Sequence, residues 1–179
     1  MFDLNEKIVY PGHGVAKINR IIEKKFANTK VSFFELKFLN KDMTILVPTI
    51  NPSSVGIRKL SSSESIEEVF KVLSQPVPKS GNEVMASNWN KRNKEYQCKL
   101  RTGDIHEITA VYRELNDIAA QKDLSFGEKN LLEQTQKLLV EEIANVTKIN
   151  EEKVIENLRS LFKNMKNAPT RVVEKQHYL

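Results

Sequence analysis

The stretch Asn88-Trp89-Asn90-Lys91-Arg92-Asn93-Lys94 joins the single tryptophan of the chain to three cations. From Trp89 to Arg101 five basic residues (Lys91, Arg92, Lys94, Lys99 and Arg101) stand against one acid, Glu95. A flat ring beside fixed positive charge suits a nucleic-acid contact. The cations neutralise phosphates and release counterions, and the ring stacks on or wedges against an exposed base. Taken alone, these residues fit a plainer description better: a helix with one core tryptophan and a solvated charged face. Lys129 adds a second point. It stands in the first turn of a different helix, where its charge opposes the helix dipole and a phosphate at the same N-terminus would offset that penalty.

Catalysis has little to stand on. His13, His106 and His177 fall in a turn, a helix start and a tail, with no spacing that gathers ligands. Gly12-His13-Gly14 lacks the Lys-Ser or Lys-Thr end of a phosphate loop and leads into a strand. The carboxylate pairs Glu67-Glu68, Glu141-Glu142 and Glu151-Glu152 fall on predicted helix surfaces and read as solvated faces. Cys98 is the only cysteine, so thiols can build neither an internal disulfide nor a zinc cluster. No enzyme activity, cofactor or metal is expected.

The elements that must carry these residues change character near residue 60. Lys7-Ile8-Val9-Tyr10, Val15 to Ile21, Val31 to Phe38, Met43 to Val47 and Val55 to Leu60 read as five short strands, with Phe34, Leu36 and Phe38 facing inward. Five short strands without a helical pattern between them predict a small closed barrel. Beyond Ser61-Ser62-Ser63 the period becomes helical, through Ile66, Val69, Phe70 and Leu73. Gln75-Pro76-Val77-Pro78-Lys79-Ser80-Gly81 reads as a linker.

Four helices should follow. Ser87 or Asn88 caps the first, Asp104 the second, the Ser125-Phe126-Gly127-Glu128 capping box opens the third, and Asn150 caps the last. The apolar stripe of the first is thin (Trp89, Asn93, Tyr96, Leu100), which puts Trp89 at the margin of a core. The fold class expected is α+β: a barrel over 1–60, a helix and linker over 61–83, a compact helical bundle over 84–166, and a frayed tail over 167–179.

The 179 residues carry a formal net charge of +5, with 28% charged and 40% hydrophobic residues. That balance suits a soluble globular protein and makes an anionic partner plausible without demanding one. No apolar run approaches the roughly 18 residues of a membrane span, and the N-terminus does not read as a signal peptide. A soluble, cytoplasmic monomer with no small-molecule substrate is expected.

Four motifs, in order, resemble the CarD/CdnL family of bacterial transcription regulators. They are Ile8-Val9-Tyr10-Pro11-Gly12-His13-Gly14-Val15, Asp42-Met43-Thr44-Ile45-Leu46-Val47-Pro48, Asn88-Trp89-Asn90-Lys91-Arg92, and Leu124-Ser125-Phe126-Gly127-Glu128-Lys129. The first two are similar to the polymerase-binding module of the transcription-repair coupling factor as well. The helical half with Trp89 separates the two families.

The resemblance implies a Tudor-like (SH3-like) barrel that docks on the β subunit of bacterial RNA polymerase, and a helical domain that reaches promoter DNA. Trp89 would wedge into the minor groove at the upstream edge of the melted bubble and stabilise the open complex. Lys91, Arg92, Lys94 and Lys129 would contact phosphates. Lys24 occupies a place where some members use an arginine toward polymerase. Leu46 stands where some carry another arginine, so this interface is either more hydrophobic or weaker.

Two other functions compete. One is a protein–protein adaptor whose helical half never meets DNA. The other is an RNA-binding barrel, which the near balance of charge through residue 75 (eleven basic, eight acidic) disfavours.

Overall fold

The computed structural model describes residues 2–26, 29–75 and 88–166. The expected linker beyond Gln75 and the expected tail, 167–179, lie outside them. Within them the chain is α+β. Strands β1 (Lys7–Tyr10), β2 (Gly14–Phe26), β3 (Thr29–Phe38), β4 (Thr44–Pro48) and β5 (Arg58–Lys59) precede helix α1 (Ser63–Ser74). Helices α2 (Trp89–Thr102), α3 (Ile105–Gln121), α4 (Phe126–Thr147) and α5 (Glu151–Lys166) follow.

The strands form one antiparallel sheet in the order β4-β3-β2-β1-β5. The expected closed barrel is not formed: β4 and β5 are the two edges, with no ladder between them among the described residues. The reason lies between the edges. Pro48 ends β4, Pro52 opens a turn of 3-10 helix through Val55, and only two residues remain for β5. So short a strand pairs with β1 and leaves nothing to close the ring.

Alternation along the strands sorts the side chains as expected. Ile8, Ala16, Ile18, Phe34, Leu36, Phe38 and Val47 fill one face. In β2 the alternation is interrupted, because Ile18 pairs with Leu36 and Arg20 with Glu35, leaving Asn19 as a one-residue bulge. Beyond it Ile21 pairs with Phe34 on the inner side, and Arg20, Ile22 and Lys24 take the outer face. Strands β2 and β3 run on as a long two-stranded arm to the Phe26–Thr29 pair, further than the expected ends at Ile21 and Val31.

The helices pack around a second core. Ile66, Val69 and Leu73 of α1 join Tyr96, Leu100, Ile108, Tyr112, Leu115, Leu139, Ile143, Val154 and Leu158 in one buried cluster. Helix α1 therefore packs into the core of the bundle. The helix starts follow the local signals. Side chains of Asn88, Asp104 and Ser125 accept backbone N–H groups of the first turns, and Asn150 accepts that of Glu152. No described helix is long and apolar enough to cross a membrane.

Candidate nucleic-acid and partner interfaces

Trp89 is the first residue of α2, and its position is set by the start of α4. At Gly127 a Cβ would come within 2.9 Å of Trp89 Cζ2, so the ring lies against a place where only hydrogen fits. Beside it, Arg92 Nη2 donates to Glu128 Oε1 at 2.7 Å, with both side chains about 95% buried (5% and 4% exposed). The Arg92 guanidinium also lies 5.9 Å from the Trp89 ring centroid, within cation–π range. Glu128 in turn closes the capping box: its Oε2 accepts the Ser125 N–H at 2.8 Å, and the Ser125 hydroxyl accepts the Glu128 N–H at 3.3 Å.

Burial pushes the Glu128 carboxyl up, but the Ser125 N–H and hydroxyl, Lys122 and Arg92 together hold it below its ordinary value. It is therefore a carboxylate at neutral pH. One buried ion pair thus bolts the N-terminus of α2 to that of α4, with the tryptophan clamped between them.

The cations divide. Lys91, Lys94 and Lys129 are exposed. At about 100° per residue, Lys91 and Lys94 lie roughly 200° and 140° around α2 from Trp89, on its solvent side. Trp89 instead shares its face with Arg92, Tyr96 and Leu100 and is partly buried against the helical core. Lys99 reaches Glu107 and Glu114, each at 3.9 Å. Lys122 approaches Glu128 at 4.0 Å. Next to the clamp stands Phe126, the first residue of α4, 80% exposed.

On the sheet, Lys24 and Leu46 share the outer face. Leu46 pairs with Glu35, which pairs with Arg20, and Lys24 pairs with Val31. Glu35 ties the row together, accepting Arg20 Nε and Nη2 at 3.0 Å each and Asn19 Nδ2 at 2.7 Å. Ile22, Val31, Phe33 and Leu46 are partly buried there, so the face around Leu46 is substantially apolar.

The two halves meet at the pair Glu141-Glu142, and here the expectation of solvated carboxylates is overturned. Glu141 is 8% and Glu142 2% exposed. Glu141 Oε2 accepts the Val15 N–H at 3.0 Å. The backbone comes that close because residue 14 is glycine, with φ +100°, and any Cβ there would collide with the carboxylate. Burial raises the Glu141 pKa above its ordinary value, against the opposing pull of the Val15 N–H and Lys41.

Glu142 takes Arg58 in a fork, Nη1 to Oε1 at 2.6 Å and Nη2 to Oε2 at 2.8 Å, while the Ser61 N–H and hydroxyl donate to Oε1. Arg58 also donates to the Gly103 carbonyl from Nε and Nη2. Lys7 to Asn145 and Asn40 to Glu151 complete the seam, at 2.8 and 2.7 Å. Charge at those positions signals a helix surface in sequence, and only the docked sheet turns it into an interface.

Two family models divide the chain at the same place as this seam. The CarD-like/TRCF RID domain matches residues 2–61, and the CarD C-terminal domain matches residues 68–159. The chain belongs to the CarD family. A relative in Bacillus subtilis (strain 168), named "Putative transcription factor YdeB", is 27% identical over 154 residues, covering 86% of this chain and 97% of that protein.

In this CarD-family chain, then, the RID match covers the sheet with Lys24 and Leu46, and the C-terminal match covers Trp89, Lys91, Arg92, Lys94 and Lys129. Of the residues expected to meet DNA, the fold brings Trp89 and Arg92 together and points Arg92 inward. Lys91 and Lys94 flank them on the far side of α2, and Lys129 stands on the neighbouring helix. Phe126 carries no expectation from the motifs, although its position off the inward stripe of Leu131, Leu138 and Leu139 marks it as solvent-facing.

Proposed function

We propose that this CarD-family protein regulates transcription by binding the β subunit of bacterial RNA polymerase through its sheet. Trp89 then enters the minor groove at the upstream edge of the melted promoter and stabilises the open complex. The observation that carries the reading is the seat of Trp89. A large ring sits at a helix N-terminus against Gly127, braced by the buried Arg92–Glu128 pair, and stays at the margin of the core. A wedge has to offset an unstacking cost of about a few kcal/mol per base step, and a pre-positioned ring loses little entropy in doing so. Lys91, Lys94 and Lys129 are the proposed phosphate contacts. Arg92 is proposed to act by holding the ring, since its charge is engaged with Glu128.

Polymerase supplies most of the targeting in this scheme, through the outer sheet face with Lys24 and the apolar row at Leu46. The groove carries little sequence information, so bubble position and DNA shape are read more than sequence.

The test is Trp89→Ala in the full chain. Polymerase β subunit should still be pulled down, and the prolonged lifetime of open complexes should be lost. A variant that prolongs that lifetime as well as the parent does would exclude the wedge.

A second reading, an adaptor without DNA contact, is favoured by one observation: Lys91 and Lys94 lie on the side of α2 away from Trp89. It predicts that Trp89 emission is unchanged when a forked promoter and polymerase are added. The wedge predicts quenching.

A further inference from the structure

We infer that Phe126 is a second base-contacting residue, which stacks on a nucleobase freed from the duplex where Trp89 enters. The inference rests on the reading that the helical half meets a promoter fork. Phe126 is 80% exposed and makes no part of either apolar core. Its backbone is nevertheless held on both sides. Ser125 before it and Glu128 two residues after it close the capping box, and Glu128 is pinned by Arg92. The residue directly after it, Gly127, carries the Trp89 ring. Two aromatic side chains therefore leave one rigid junction, one tucked against it and one standing out from it.

An exposed aromatic on a fixed backbone is pre-organised for a flat partner, because its platform need not be ordered on binding. The charge around it selects the partner. Lys122 and Lys129 are exposed on either side of Phe126, and Asn130 stands one turn on. The carboxylates of the stretch are Asp123, exposed, and Glu128, buried against Arg92. Cations around a lone aromatic fit a backbone of phosphates carrying an unstacked base. An apolar protein partner would want a broad apolar surface, and among the described residues next to Phe126 in sequence the exposed ones, Asp123, Ser125, Lys129 and Asn130, are polar.

The experiment uses the full chain with polymerase on a promoter carrying 2-aminopurine at successive unpaired positions of the upstream edge. Parent, Phe126→Ala, Phe126→Tyr and Trp89→Ala are compared. Phe126→Ala should abolish the protein-dependent quenching at one of those positions and shorten the open-complex lifetime about tenfold, a typical loss for one base–aromatic stack. Phe126→Tyr should restore both, and the melting temperature of Phe126→Ala should match the parent. Parental quenching and lifetime in Phe126→Ala, with Trp89→Ala defective, would overturn the inference and leave the wedge standing. Parental behaviour in Trp89→Ala would bring down the wedge, and the inference with it. Loss of polymerase pull-down in Phe126→Ala would make Phe126 a protein contact and equally overturn it.

Discussion

Gly127, the second residue of α4, makes room for the Trp89 ring by having no side chain. In most helices a Gly→Ala change adds up to about 1 kcal/mol of stability. Here the added Cβ would sit 2.9 Å from the Trp89 ring, which must move. Gly127→Ala should therefore fall short of that gain, red-shift the Trp89 emission, and weaken open-complex stabilisation. A variant with parental emission would show that the ring has room to spare. The Arg92–Glu128 pair makes a complementary prediction. Arg92→Met strands a buried carboxylate and should cost about 3 kcal/mol in a denaturant titration. The Glu128 pKa is depressed by folding, so its contribution is complete above the ordinary carboxylate range and is lost as pH falls through its lower folded value. Stability should decline below about pH 4–5, the ordinary range of such a group. In Glu128→Gln that part of the decline should be absent.

At the scale of elements, the seam between sheet and bundle separates two adjacent carboxylates of one helix. Glu142→Gln loses the forked ion pair to Arg58, and because Arg58 is 26% exposed the cost should be about 2–3 kcal/mol. Glu141→Gln can still accept the Val15 N–H, and its raised pKa means that its charge is a burden which grows as pH rises through the folded value. That variant should be neutral or stabilising at pH 8, and equal destabilisation of the two would refute this division. Neither role was legible from sequence, where Glu141-Glu142 looks like any solvated pair, because burial there is imposed by partners 81 to 126 residues earlier. What was legible was local. Asn88, Asp104, Ser125 and Asn150 cap helices because a side-chain oxygen and an N–H two or three residues on need nothing else. The margin position of Trp89 was readable too, from a stripe too thin to bury it. Closure of the sheet was not, since it depends on whether β5 is long enough to meet β4.

For the whole molecule, a net charge of +5 is modest for the proposed promoter contact, and the proposed phosphate contacts are few. Binding to a forked duplex without polymerase should be weak and should fall steeply with salt. Lys91→Gln, Lys94→Gln or Lys129→Gln should each reduce the log–log salt slope by about 1. A slope unchanged in all three would remove those lysines from the interface. Fixed by the Arg58–Glu142 seam, sheet and bundle present their faces at a set separation. The outermost arm of β2 and β3 has a separate control, the bulge at Asn19. Dropping one residue from a strand ordinarily turns every later side chain over to the wrong face. Dropping Asn19 would not, because Arg20 already faces Glu35 and every later partner would be kept. The Asn19–Glu35 hydrogen bond and the extra local twist that a bulge imparts would go. Lys24 would keep its neighbours and lose its aim, so a single-codon deletion at Asn19 would leave a folded chain whose arm leaves the sheet at a different angle.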